Sequence, residues 1–485
     1  MHYFTSTRDK LNRKTASEAI LEGLSTDGGL YTPDLSEYKA FDLNEFLNMN
    51  YQEMAVKIIG TILDDYTEEE IKDSVYKAYD SKFDDEEIVK LRNKGGIPVL
   101  ELYHGPTCAF KDMALTVLPH LLTKAYSKQG EDKKIMILTA TSGDTGKAAL
   151  EGFKDVDNTY ICVFYPKENV SKIQERQMLT TGGNNTCVIK LEGNFDDCQK
   201  IVKECFDLSF DNIKLSSANS INLGRLMPQV VYYFYAYIKL VNNKEIKLND
   251  MISFSVPSGN FGDILAGYIA RALGCPINKL ICASNKNDVL TDFINTAVYN
   301  RKRPFYSTIS PSMDILVSSN VERLLYFISN DDVLVQNYMN ELREKGEYKL
   351  DEDIFSVIKE SFAAYSFDDE VCKETIKTLY NKDGKIIDPH TSVAYRAAIE
   401  YMKDNDEKVV VLSTASPYKF AKDVYLSICE DSQADDFDYL KKLEEIADEK
   451  IPSSLRELEN MEIRHDNNVT KDNAKDFIIR KAESL

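Results

Sequence analysis

Lys111 stands in the stretch His104-Gly-Pro-Thr-Cys-Ala-Phe-Lys-Asp-Met-Ala-Leu115, directly after an irregular Gly-Pro loop and a phenylalanine. Apolar Ala114, Leu115, Leu118, Leu121 and Leu122 then recur at helical spacing, which places the lysine on a loop entering a helix N-terminus. The helix dipole disfavours positive charge there, and partial burial beside Phe110 pushes an ammonium further toward the neutral amine. A neutral amine can form a Schiff base with a carbonyl; the alternative is an ordinary solvated lysine.

Three more groups of polar residues sit where an open α/β sheet places its ligands, at the carboxyl ends of strands. Ala140-Thr-Ser-Gly-Asp-Thr-Gly-Lys147 opens a helix with Thr141, Ser142 and Thr145 hydroxyls and backbone amides, all donors for an anion. It is not a Walker nucleotide loop, because Thr141 stands where that motif needs glycine and Ala148 where it needs Ser or Thr. Pro257-Ser-Gly-Asn-Phe-Gly-Asp263 lets the backbone wrap around one phosphate, although without dinucleotide-fingerprint spacing, and an ordinary turn is the alternative. Ser413-Thr-Ala-Ser-Pro-Tyr-Lys-Phe420 offers two hydroxyls to a ligand ring atom or, alternatively, to the cap of the next helix. Arg225, behind Asn219 and Asn222, suits bidentate binding of a second oxyanion; a structural salt bridge is the other option.

These loops need a sheet to present them. From Ile97 onward, short apolar runs at Lys134–Thr139, Thr159–Tyr165, Thr186–Leu191, Ile252–Val256, Leu280–Ser284 and Lys408–Leu412 alternate with helical patterns. The helices are expected at Thr145–Phe153, Ser171–Leu179, Phe195–Phe206, Met227–Leu240 and Gly262–Leu273, covering a largely parallel sheet on both faces. Residues 1–95 differ in texture and read as a small, mainly helical domain, with a helix cap at Thr67 and a joint at Gly95-Gly-Ile-Pro98. Beyond Ser432 the chain is dense in charge and reads as exposed helices with little core of their own.

Composition narrows the partners. The 485 residues carry a formal charge of −20, which argues against non-specific nucleic-acid binding, and no apolar run or basic leader suggests a membrane or export. Nine cysteines without a Cys-x-x-Cys pair and only five histidines point to neither a disulfide framework nor a metal site. A cytoplasmic protein acting on a small molecule is expected, as a monomer, with a weak homodimer as the alternative.

A lysine for a Schiff base, a phosphate cup, a hydroxyl-bearing strand end and a second anion site together describe a pyridoxal-phosphate enzyme with an anionic substrate. The sequence resembles the threonine synthases, of the tryptophan-synthase-like, fold type II, pyridoxal enzymes. The resemblance rests on His104–Leu115, Ala140–Gly146, Asn194–Gln199, Asn219–Arg225, Val256–Asp263, Ser310–Ile315, Ile387–Thr391 and Leu412–Phe420, with Asp27-Gly-Gly-Leu-Tyr31 in the first domain. It implies two open, twisted, mostly parallel sheets flanked by helices, in a two-part α/β region over 96–431 that binds pyridoxal 5'-phosphate. Residues 1–95 then form the N-terminal domain, and 432–485 a charged helical segment packed on the catalytic region.

By the same resemblance Lys111 holds the cofactor and carries protons at the substrate's Cα and Cβ, and Gly259, Asn260, Phe261, Gly262 and Asp263 surround the cofactor phosphate. Thr414 meets the pyridine nitrogen, and Asp144 lies at the cofactor edge. Ser142, Thr145, Asn219 and Arg225 face the substrate. The implied reaction turns O-phospho-L-homoserine and water into L-threonine and phosphate. Serine or threonine dehydratases and sulfhydrylases share the fold, but the long first domain and the second anion site argue against them. So does the retained Lys111 against a catalytically silent homologue. Many relatives have histidine where this chain has Ser416; with Thr414 kept, activity is expected to survive.

Overall fold

Runs of Ile, Val and Leu closed by polar turns build two separate sheets. In the computed structural model, which describes residues 1–130, 133–141, 143–167, 170–430 and 434–485, the larger sheet has six strands. Their order is Phe362–Ser366, Ile277–Ser284, Ile252–Pro257, Val409–Ser413, Ile97–Glu101 and Lys90–Lys94. All neighbours are parallel except the last pair. The smaller sheet is wholly parallel, ordered Asn467–Val469, Thr186–Leu191, Thr159–Pro166, Lys134–Ala140 and Ile213–Ser216.

Both faces of the larger sheet are covered, as parallel strands require. Along Val409–Ser413, Val410 and Leu412 join the core that contains the helix Gly262–Ala272. Val409 and Val411 join another with the helix Pro389–Met402. All six expected strands form, most within a residue of the expected ends; Ile277–Ser284 begins three residues early. The expected helix Met227–Leu240 starts as a 3₁₀ turn, Met227–Gln229, around Pro228 and continues as Val230–Asn242.

The first region is mainly helical as expected, with Ala16–Glu22, Tyr51–Ile62 and Glu68–Ala78, and adds an antiparallel sheet of Phe4–Ser6, Asp9–Lys14 and Tyr31–Pro33. Thr67 does cap the last of these helices, in a capping box with Glu70. Two other expectations differ from what forms. The Gly95-Gly96 pair is a two-residue hairpin turn rather than a joint. Both glycines have positive φ, 61° and 93°, as the hairpin geometry demands. The charged C-terminal stretch contributes to the core after all, because an amphipathic helix buries one stripe whatever its opposite face carries. Tyr439, Leu443 and Leu455 pack with Val99 and Val411, and Val469 and Ile478 pack under the smaller sheet. Among the described residues no helix is long and apolar enough to cross a membrane.

Candidate active site

Lys111 directly precedes the short helix Asp112–Leu115, and its side chain is only 11% exposed. The preceding loop is fixed by Asp112, whose carboxylate accepts from the Thr107 amide at 2.8 Å and the Thr107 hydroxyl at 2.6 Å. The loop also zips onto the end of Val409–Ser413: the Phe110 amide donates to the Thr414 carbonyl at 2.8 Å, and the Ser416 amide to the Cys108 carbonyl at 3.0 Å. Two sequence-distant loops therefore hold the lysine as one unit. Its Nζ lies 3.6 Å from Asp144 Oδ2, 3.5 Å from Ser312 Oγ and 4.8 Å from the centre of the Phe110 ring. Burial, aided by the Lys419 and Arg225 cations, lowers its pKa against the pull of Asp144. A solvated surface lysine is excluded.

Asp144 begins the helix Asp144–Phe153 after the strand Lys134–Ala140. Thr141 folds that turn, its hydroxyl accepting from the amides of Gly143 and Gly146, each at 2.9 Å. The Asp144 carboxylate accepts from Lys419 Nζ at 2.7 Å, Gln174 Nε2 at 2.8 Å and Ser312 Oγ at 3.4 Å. Burial opposes its ionisation, but Lys419 and Lys111 outweigh it and hold the carboxyl well below the usual carboxylate range. Thr145 is half-buried beside it. Ser142 lies outside the described residues.

The Gly259–Asp263 loop leads from Ile252–Pro257 into the helix Gly262–Ala272. Phe261 adopts the left-handed conformation at φ 61°, and no side chain caps the helix, which leaves its first amides open to an anion. A Cβ on Gly259 would come within 2.8 Å of the Ser312 carbonyl oxygen, so only glycine fits. Gly259 and Asn260 are held from behind: their carbonyls accept from Ser318 Oγ at 2.8 Å and Asn320 Nδ2 at 3.0 Å. Asp263 is buried and accepts from the hydroxyls of Tyr232 and Tyr233, at 2.5 and 3.1 Å. Burial pushes its carboxyl up to about 6, against the two tyrosines.

Arg225 is 5% exposed and forms no ion pair among the described residues, which removes the salt-bridge alternative. Its Nη1 donates to the Ala218 carbonyl at 2.9 Å, while Nε has no partner, and burial pushes its pKa down to about 10. Asn219, its expected companion, is exposed, with no side-chain hydrogen bond among the described residues. Asn222 is structural, capping the next helix turn and donating to the Ile20 carbonyl at 2.9 Å. Thr414 is buried and its hydroxyl has no partner among the described residues, whereas Ser416 caps the turn Pro417–Phe420. Of the two strand-end hydroxyls, the free one is therefore Thr414, since Ser413 bonds Thr391 at 2.9 Å.

Several residues at the site carried no role in the sequence. Lys419 is wholly buried against Asp144. Ser312 touches both Asp144 and Lys111, and its amide donates to His390 Nε2 at 3.2 Å; the other ring nitrogen faces Asp388 at 2.8 Å. Arg323, fully buried, donates to the carbonyls of Tyr31 and Ile221 and to the Asn320 side chain, joining the first region to both anion loops. Lys419, Ser312 and His390 lie within the Leu412–Phe420, Ser310–Ile315 and Ile387–Thr391 motifs, which was the available signal. Arg323 had none.

The partnerless Arg225 Nε, the uncapped helix at Gly262, the free Thr414 hydroxyl and the buried Lys111 amine together suit a phosphorylated aldehyde cofactor with an anionic substrate beside it. Two mostly parallel sheets around such a lysine define a pyridoxal-phosphate-dependent enzyme of fold type II. Residues 92–415 match the family model described as pyridoxal-phosphate dependent enzyme, residues 3–79 that of the threonine synthase N terminus, and residues 391–478 that of the threonine synthase C-terminal region. The chain is 38% identical to threonine synthase of Saccharomyces cerevisiae over 453 residues, 86% of this chain and 87% of the relative. Threonine synthase of Pseudomonas aeruginosa is also 38% identical, over 431 residues, 87% of this chain and 89% of that one. The crystal structure of pyridoxal-phosphate-bound threonine synthase from Brucella melitensis superposes with a TM-score of 0.89 at 34% identity, covering 99% of this chain and all (100%) of that one. The chain belongs to the threonine synthase family.

Proposed function

We propose that the chain converts O-phospho-L-homoserine and water to L-threonine and phosphate, with its own residues in the following roles. Pyridoxal phosphate, when bound, supplies an electron sink for the negative charge that develops on the substrate carbons. Lys111, whose pKa burial lowers, takes the proton from Cα and then from Cβ and returns protons later in the cycle. The Gly259–Asp263 loop and the open amides of its helix receive the cofactor phosphate. Thr414 would offer its neutral hydroxyl to the pyridine nitrogen, and Asp144 would stand on the cofactor's edge beside Lys111. Arg225 holds the γ-phosphate as it leaves, so that charge developing on the leaving oxygens meets a guanidinium already freed of water. Ser142, Thr145 and Asn219 complete the substrate contacts in this reading. Water then adds at Cβ.

The observation that carries the reading is Arg225, a buried cation with no carboxylate partner among the described residues, whose charge is felt at Lys111. A dehydratase or sulfhydrylase, with no phosphate to hold on its substrate, has no use for it. We read residues 1–95 as the N-terminal domain, 96–431 as the catalytic region and 432–485 as a segment packed on it. The protein acts as a cytoplasmic monomer without nucleic-acid or membrane partners, a reading supported by its charge of −20 and nine unpaired cysteines. Lys111→Ala tests the central role: the variant folds, loses the visible absorbance of lysine-bound cofactor and ceases to release phosphate. Near-normal turnover in that variant would overturn the assignment.

A further inference from the structure

Asp144 is shared by two lysines, and it belongs more closely to the one without an assigned role. Lys419, in the turn Pro417–Phe420, is wholly buried and donates from Nζ to Asp144 Oδ1 at 2.7 Å and to the Thr107 carbonyl at 3.0 Å. Lys111 faces the other carboxylate oxygen from 3.6 Å, a looser contact. Gln174 and Ser312 occupy further acceptor positions of the same carboxylate. Through Thr107, Lys419 also grips the loop that carries Lys111, since the Thr107 amide and hydroxyl bind Asp112 on the next turn.

We propose that Lys419 is a positioning residue that binds Asp144, so that this carboxylate faces the cofactor without capturing Lys111 in a tight ion pair. An unshared carboxylate in a buried site would take the nearest ammonium, and Lys111 would then be held as a cation, unfit to accept a proton. With Lys419 in place, the Lys419–Asp144 pair is neutral as a unit and Lys111 responds to the remaining charges. The groups facing Lys111 are Asp144, Ser312 and the Phe110 ring in contact, with Lys419, Arg225 and Asp263 acting at longer range.

This inference rests on the cofactor reading above, and its test separates the two. The pH midpoint of the visible absorbance of cofactor carried on Lys111 Nζ is measured in the holoenzyme, together with kcat/KM. The proteins compared are the wild type, Lys419→Met, Asp144→Asn and the double variant. Removing the Lys419 cation raises the midpoint by about one pH unit or more, and removing the Asp144 anion lowers it by a similar amount. In the double variant the two opposite midpoint shifts cancel, whereas kcat/KM, which falls about ten-fold or more in Lys419→Met, recovers in part when Asp144→Asn is added, a non-additivity expected of contacting residues. Unchanged midpoints in both single variants, or strictly additive losses in the double, would overturn the proposal. If Lys419→Met does not fold, Asp144→Asn alone decides: a lowered midpoint supports the proposal and an unmoved one refutes it. A wild-type protein with no visible band would instead sink the cofactor reading itself.

Discussion

Replacing Arg225 by methionine should leave the protein at least as stable and nearly inactive at once. Burial lowers the guanidinium pKa from 12.5 to about 10, so the folded state disfavours the charged side chain by about 3 kcal/mol at neutral pH. Methionine keeps the apolar stem and removes the charge, at the cost of one charge-assisted hydrogen bond to the Ala218 carbonyl, about 1.5–3 kcal/mol. The balance is a change of about 0–1.5 kcal/mol in favour of the variant without ligand. Function goes the other way: losing one partner of a desolvated charge pair costs about 2–5 kcal/mol, or about 30- to 4,000-fold in kcat/KM for O-phospho-L-homoserine. Thermal unfolding of both holoenzymes, with and without inorganic phosphate, reads both effects. Wild type gains about 2.7 kcal/mol at a phosphate concentration 100 times its Kd, and the variant gains almost nothing. A variant that is less stable than wild type yet still responds to phosphate would refute the reasoning, because Arg225 would then be a structural cation with satisfied partners.

Two further outcomes follow from the geometry. Gly259→Ala should lower cofactor affinity, measured as pyridoxal phosphate retained after dialysis, because the new Cβ meets the Ser312 carbonyl at 2.8 Å and displaces the loop; undiminished retention would mean that the loop is not a phosphate cup. Burial opposes protonation of His104, but Asp84 at 2.8 Å and Glu101 at 3.0 Å outweigh it and raise its pKa above 6.5. Its stabilisation is therefore complete below the unfolded pKa and lost as pH rises through the folded value. Between about pH 6 and about pH 9, melting temperature should fall more in wild type than in His104→Gln, and parallel curves would contradict the ion-pair account.

The strands readable in the sequence were those whose own side chains fill a core, such as Ile252–Pro257 and Thr159–Pro166, all of whose residues are buried. The missed ones are strands by partnership. Ile97–Glu101 contains Pro98, a poor strand former, and is held between Val409–Ser413 and a hairpin mate. Phe362–Ser366 follows a helix without a break, and Asn467–Val469 is three polar or short residues paired to Thr186–Leu191. The site divides in the same way. Lys111, Arg225, Thr414 and the Gly259–Asp263 loop announce themselves through neighbours in the chain. Lys419, Ser312 and Arg323 matter only because packing brings Asp144, Lys111, Tyr31 and Ile221 to them, and local spacing carries no trace of those contacts.

The most direct test of the whole account is turnover of O-phospho-L-homoserine by the purified protein, following phosphate and threonine together after a visible absorbance scan. The account predicts a cofactor band and equal amounts of phosphate and threonine. Phosphate released without threonine, or neither product from protein that shows the band, would contradict it.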